Sequence, residues 1–143
     1  MKRMILFFAL FVNFSALAEN FEVKMVNSGT DGAMSFDPGF IKVNVGDTVT
    51  FIATDASHNS ISVLVPDGAK TWAGTLSQPI TVEMKAEGVY IYKCDPHFPM
   101  AMVGVVQVGK ATNLEAAISE AGKLSSTFLM NKDRLAKYLA QVQ

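Results

Sequence analysis

From Phe21 to Val108, apolar residues recur mostly at every second position, the period of a strand with one buried face. Ile41, Val43 and Val45 alternate with Lys42 and Asn44 and run into a Gly46-Asp47 turn. Val49, Phe51 and Ala53 repeat the pattern less cleanly, and Ile80, Val82 and Met84 alternate with Thr81, Glu83 and Lys85. A strand is predicted from Val89 to Cys94, with Tyr90, Tyr92 and Cys94 on one face, and another begins near Met102 and runs to Val108. Gly29, Gly32, Pro38-Gly39, Pro66, Gly74 and Gly88 punctuate these runs. Short strands with frequent turn signals predict an all-β sandwich or barrel rather than alternating β and α units.

After Gly109 the period lengthens to that of a helix. Thr112 and Glu115 form a Thr-x-x-Glu capping box, Leu114, Ala117, Ile118 and Ala121 follow at helical spacing, and Gly122 reads as a stop. A second helix is predicted from about Asn131, with Leu135, Tyr138, Leu139 and Val142 on one stripe. Helices this short do not stand alone in water, so both are expected to lie against the β layer.

The N-terminus breaks both patterns. Lys2 and Arg3 precede an uninterrupted apolar run from Met4 to Val12, and Ala16-Leu17-Ala18 fits a small-x-small cleavage site. Nine apolar residues are too few for a membrane span, which takes roughly 20. Residues 1–18 therefore read as a secretory signal peptide, followed by a β domain over 19–109 and a helical extension over 110–143. The 143-residue chain holds a single core at roughly 150 residues per domain. Its 50% hydrophobic content excludes a disordered chain, and its pI of about 6.1 gives no basic excess for nucleic acid. Removing Lys2 and Arg3 turns the net charge of -1 into -3.

One cysteine and two histidines are the whole supply of thiol and imidazole. That excludes a disulfide framework and a Cys-rich zinc module. A lone thiol in an exported chain points instead to a metal ligand, a reactive thiol or an intermolecular bond. Cys94, His97, Met100 and Met102 share one short loop between two predicted strands, and His58 follows another strand. A thiolate, two imidazoles and a weak thioether are the donor set of a blue-copper electron-transfer centre. Soft sulfur favours Cu(I), and imidazole accepts either oxidation state. Met100 and Met102 differ by two positions, so strand parity leaves both open as the thioether.

The loop Cys94-x-Pro96-His97-x-x-x-x-Met102 resembles the ligand loop of the type 1 copper cupredoxins with short Cys-to-His spacing, shared by pseudoazurins and amicyanins. Two helices after a last strand ending Val106-Gln107-Val108-Gly109 are similar to the pseudoazurins in particular. The likeness spans the mature chain, including Asp31-Gly32-Ala33-Met34, the run from Pro38 to Lys42 and Gly46-Asp47-Thr48-Val49. It implies a cupredoxin Greek-key β-sandwich with two short helices, holding one copper ion. By the resemblance the ligands are His58, Cys94, His97 and Met102, the family's His-to-Met spacing favouring Met102 over Met100. Asn59 would stiffen the two ligand loops and give its N–H to the cysteine sulfur, while Pro96 offers no N–H there. The exposed edge of His97, within an apolar patch of Met34, Pro96 and Met100, would be the electron port. The implied protein is a monomeric, non-catalytic one-electron carrier of the periplasm, detached from the membrane, with a redox partner such as a copper nitrite reductase.

Three departures from the family stand out. Pro99 follows Phe98 where a small residue is usual, and Asp95 puts a charge beside the ligand cysteine. Ser28, Ala56 and Ala73 replace lysines that commonly ring the patch, leaving Lys93. Docking is therefore expected to rest on the apolar patch more than on charge. Two other functions compete: a periplasmic copper carrier or storage protein, and a thiol enzyme in which Asp95 orients a Cys94–His97 pair.

Overall fold

A computed structural model describes residues 17–143. The leader read over 1–18 lies outside the described residues except for Leu17 and Ala18, which are exposed. Among the described residues, eight strands come first: β1 Asn20–Gly29, β2 Gly32–Asp37, β3 Phe40–Val43, β4 Thr48–Ala53, β5 Ile61–Leu64, β6 Ile80–Glu83, β7 Gly88–Lys93 and β8 Val103–Val108. Two helices follow, α1 Leu114–Thr127 and α2 Arg134–Leu139. The strands form two four-stranded sheets, ordered β2-β1-β4-β6 and β3-β8-β7-β5. β1 runs parallel to β4 and β3 parallel to β8, while the other neighbours are antiparallel. This is the expected sandwich with its helical extension.

Alternation along β7 decides the layering. Tyr90, Tyr92 and Cys94 face the core between the sheets, together with Phe36, Phe51, Trp72, Met102 and Val106. Val89 and Ile91 face the other way, where with Val103 and Val105 they meet Ala117, Ala121, Phe128, Leu135 and Tyr138 of the helical extension. β7 and β8 are thus covered on both faces, which is why all six residues of β8 are buried. Tyr92 meets Phe36 edge-on at 4.7 Å and Phe51 at 4.8 Å, the arrangement that aromatic quadrupoles favour. Gly104 lies under the Tyr92 ring, where a Cβ would collide with it.

Several local expectations are corrected. The Thr112–Glu115 box does not close, and no side chain caps α1 at Asn113. The Asn113 amide instead accepts from the Val89 N–H (2.6 Å) and donates to its carbonyl (2.9 Å), satisfying the start of β7. Gly122 does not stop the helix, which runs on to Thr127. A helical glycine costs about 1 kcal/mol against alanine, less than the burial of Phe128 beyond it returns. Val45 and Ile118, read as inward-facing, are exposed. The second helix is present but shorter than expected, starting at Arg134 rather than near Asn131; Leu135, Tyr138 and Leu139 are buried on it, and Val142 lies beyond its end.

Candidate metal centre

One end of the sandwich is built from two loops. The first leaves β4 and carries His58, Asn59 and Ser60, all buried. The second joins β7 to β8, opening at Cys94 and folding through a single 3₁₀ turn, Phe98–Met100. Its ends are tied together by the Cys94 N–H on the Met102 carbonyl (2.9 Å), and the Met102 N–H reaches the His97 carbonyl (3.2 Å). Sheet pairing of β7 and β8 therefore fixes where Cys94 and Met102 emerge.

These loops bring the chain's one thiol to its two imidazoles. Cys94 Sγ lies 3.7 Å from His58 Nδ1 and 3.4 Å from His97 Nδ1. The two Nδ1 atoms are 3.1 Å apart. Donors held at about 2.0–2.3 Å from one ion in trigonal or tetrahedral array stand roughly 3.3–3.8 Å from each other. The triangle fits a metal ion with little rearrangement. His58, Cys94 and His97 are the metal-holding cluster found among the described residues.

Each donor is prepared by a neighbour. The Asn27 Oδ1, an acceptor, lies 3.0 Å from His58 Nε2. It selects the tautomer with the proton on Nε2, leaving the Nδ1 lone pair directed at the cluster. Burial, reinforced by His97 and opposed by Asp55, holds the His58 imidazole below its usual pKa and so neutral. Burial pushes the Cys94 thiol up, while the backbone N–H groups of Asn59 and His97 pull it back by donating to the sulfur. The side chain of Asn59 bridges the loops: its Oδ1 accepts from the Asp95 N–H (2.9 Å), and its Nδ2 donates to the Gly74 carbonyl (3.2 Å).

The remaining sequence candidates are placed around this cluster. Met102 is fully buried in the same core cluster as Cys94, whereas Met100 is half-buried in the 3₁₀ turn. Pro96 is exposed, His97 partly so, and Met34 half-buried against the core. Asp95 does not orient His97: its carboxylate pairs with Lys93 at 2.7 Å, and that ammonium also sits over the Phe98 ring at 5.0 Å. The charge of Asp95 is thus matched locally, and the thiol-enzyme reading loses its orienting acid. Sequence reasoning missed Asn27, which no spacing marks, and Arg134, whose helical position reads as surface although the side chain is buried.

The family described as copper binding proteins, plastocyanin/azurin family, matches residues 23–109. A pseudoazurin of Methylorubrum extorquens is 41% identical over 139 residues, covering 94% of this chain and 90% of its own. One from Paracoccus pantotrophus is 39% identical over 128 residues, 87% and 85% of the two chains. Among solved structures, a pseudoazurin from Sinorhizobium meliloti superposes with a TM-score of 0.75 at 38% identity, covering 86% of this chain and 95% of that one.

Proposed function

The chain belongs to the pseudoazurins within the plastocyanin/azurin family of copper-binding proteins, and from that premise we propose that it is a diffusible one-electron carrier of the periplasm. One observation carries this reading. The single thiol and both imidazoles of the chain, from two separate loops, converge within 4.8 Å. His58, Cys94 and His97 would hold the ion, with the buried thioether of Met102 as a further, weaker donor. Bound copper would supply reversible one-electron chemistry between Cu(I) and Cu(II).

The chain's own residues supply the rest. Asn27 and the core hold the His58 ring in one tautomer and one orientation. The N–H groups of Asn59 and His97 stabilise negative charge on sulfur, and the surrounding core keeps water from it. A frame this constrained changes little between charge states, which keeps the reorganisation accompanying electron transfer small. The ring of His97 reaches partial exposure and is the port, flanked by Met34, Pro96 and Met100.

No helix among the described residues is long and apolar enough to cross a membrane. We assign export to residues 1–18, and a respiratory reductase such as a copper nitrite reductase as acceptor, met by the monomer. With Lys93 paired to Asp95 and exposed Ser28, Ala56 and Ala73 uncharged, the encounter rests on apolar contact. Its rate should therefore change little between low and physiological salt; a steep fall would overturn this docking mode. Voltammetry of the copper-loaded mature chain tests the carrier itself. A reversible one-electron wave at one copper per chain, absent in Cys94→Ser, is expected. Exchangeable copper without reversible cycling would instead favour a copper carrier or store.

A further inference from the structure

The C-terminal extension meets the loop between β7 and β8 at several points: Phe128 packs edge-on against Phe98, the Leu129 N–H donates to the Pro99 carbonyl (2.8 Å), Asn131 Nδ2 donates to the Met100 carbonyl (3.3 Å), and the Arg134 guanidinium reaches Ala101. Arg134, at the start of α2, is only 4% exposed. Among the described residues no carboxylate forms an ion pair with it. Its guanidinium donates to four backbone carbonyls instead: Nη1 to Met34 (2.7 Å) and Ala101 (2.9 Å), Nη2 to Asp31 (3.0 Å) and Ala33 (3.0 Å). A buried cation stripped of its hydrogen bonds is strongly unfavourable, so this set stands or falls together.

The two carbonyls on Nη1 belong to unusual residues. Met34 has φ 48° and Ala101 φ 58°, left-handed conformations that side-chain-bearing residues adopt only when their surroundings enforce them. Ala101 immediately precedes Met102, and Met34 is the residue assigned above to the patch beside His97. One nitrogen thus joins the segment that delivers the buried thioether to the segment that shapes the exposed patch. A lysine could keep the charge at this place but not the planar fork that meets four acceptors at once.

We infer that Arg134 is a positioning residue of the metal centre, acting through the Ala101 carbonyl on Met102 and through the Met34 carbonyl on the surface beside His97. This rests on the copper reading above, and the two fail differently. Wild-type protein given copper(II) salt without developing an intense visible band would defeat that reading whatever Arg134 does.

The test compares Arg134→Lys with Leu135→Ala, which opens a cavity on the same short helix without touching the fork. In Arg134→Lys the visible band pattern and reduction potential should shift, and amide exchange at Met102 in the copper-free protein should quicken by at least about tenfold. Leu135→Ala should lower the melting temperature while leaving the band pattern, potential and Met102 exchange unchanged. Wild-type values in Arg134→Lys, or the same shifts in Leu135→Ala, would overturn the inference. Should Arg134→Lys fail to fold, the wild type decides. Scalar couplings from the Arg134 Nη atoms to the carbonyl carbons of Met34 and Ala101 support it, and freely rotating Nη protons refute it.

Discussion

The two histidines are the same side chain in opposite settings. His58 is fully buried, its outer nitrogen occupied by Asn27 and its pKa lowered by the core around it. His97 sits on a turn beside exposed Pro96, with part of its ring in solvent. Both present Nδ1 to the same sulfur. In the proposed carrier the difference would separate two tasks: His58 would fix the site, and His97 would offer the edge that meets a partner. A carrier needs a rigid, dry interior and an exit, and the exit has to be the ligand whose loss the fold survives best.

Deleting each ring in turn should therefore break the symmetry. His58→Ala is expected to abolish the coloured copper site, and added imidazole should not restore it, because the vacated space is sealed. His97→Gly should lose the site as well, yet recover it with imidazole, since a free ring can reach the gap from solvent. Visible titration of both variants separates the outcomes. Equal rescue, or rescue of His58→Ala alone, would reverse the assignment of inside and outside.

A smaller effect tests the tie between the two loops. Asn59→Ala removes the acceptor of the Asp95 N–H and the donor to the Gly74 carbonyl. It should cost about 1–3 kcal/mol in denaturant unfolding, with the larger loosening on the His97 side. Smaller still is the competition with protons. Metal binding needs the Cys94 thiolate, and burial holds this thiol above its usual pKa. Apparent copper affinity should thus rise with pH, about tenfold per unit below the thiol pKa, as one proton is released. His58, already neutral because its pKa is lowered, adds no second proton near neutrality. A slope of two protons per copper would show that an imidazole of the cluster gives up a proton along with the thiol.

The difference between the histidines was only partly legible in the sequence. Parity along β7 put Tyr90, Tyr92 and Cys94 on one face, because a strand's period is fixed by its backbone. The lone thiol and two imidazoles pointed to one site because there was nothing else for them to share. Contacts across the fold carried no such signal. Asn27 lies 31 positions from His58, and Arg134 crosses about 100 residues to reach Met34. A capping box is a local preference, and it gave way where Asn113 had a strand edge to satisfy. Lys93 and Asp95 stand two positions apart at the end of β7, and their side chains meet in an ion pair of 2.7 Å.

In the proposed carrier Cys94 shares one copper ion with both histidines. The visible absorption spectrum of the copper-loaded mature chain tests this most directly. An intense blue thiolate-to-copper band is predicted, bleached by reductant, restored by oxidant and missing in Cys94→Ser. A stoichiometric copper protein with only weak absorption, or one whose band survives Cys94→Ser, would contradict it.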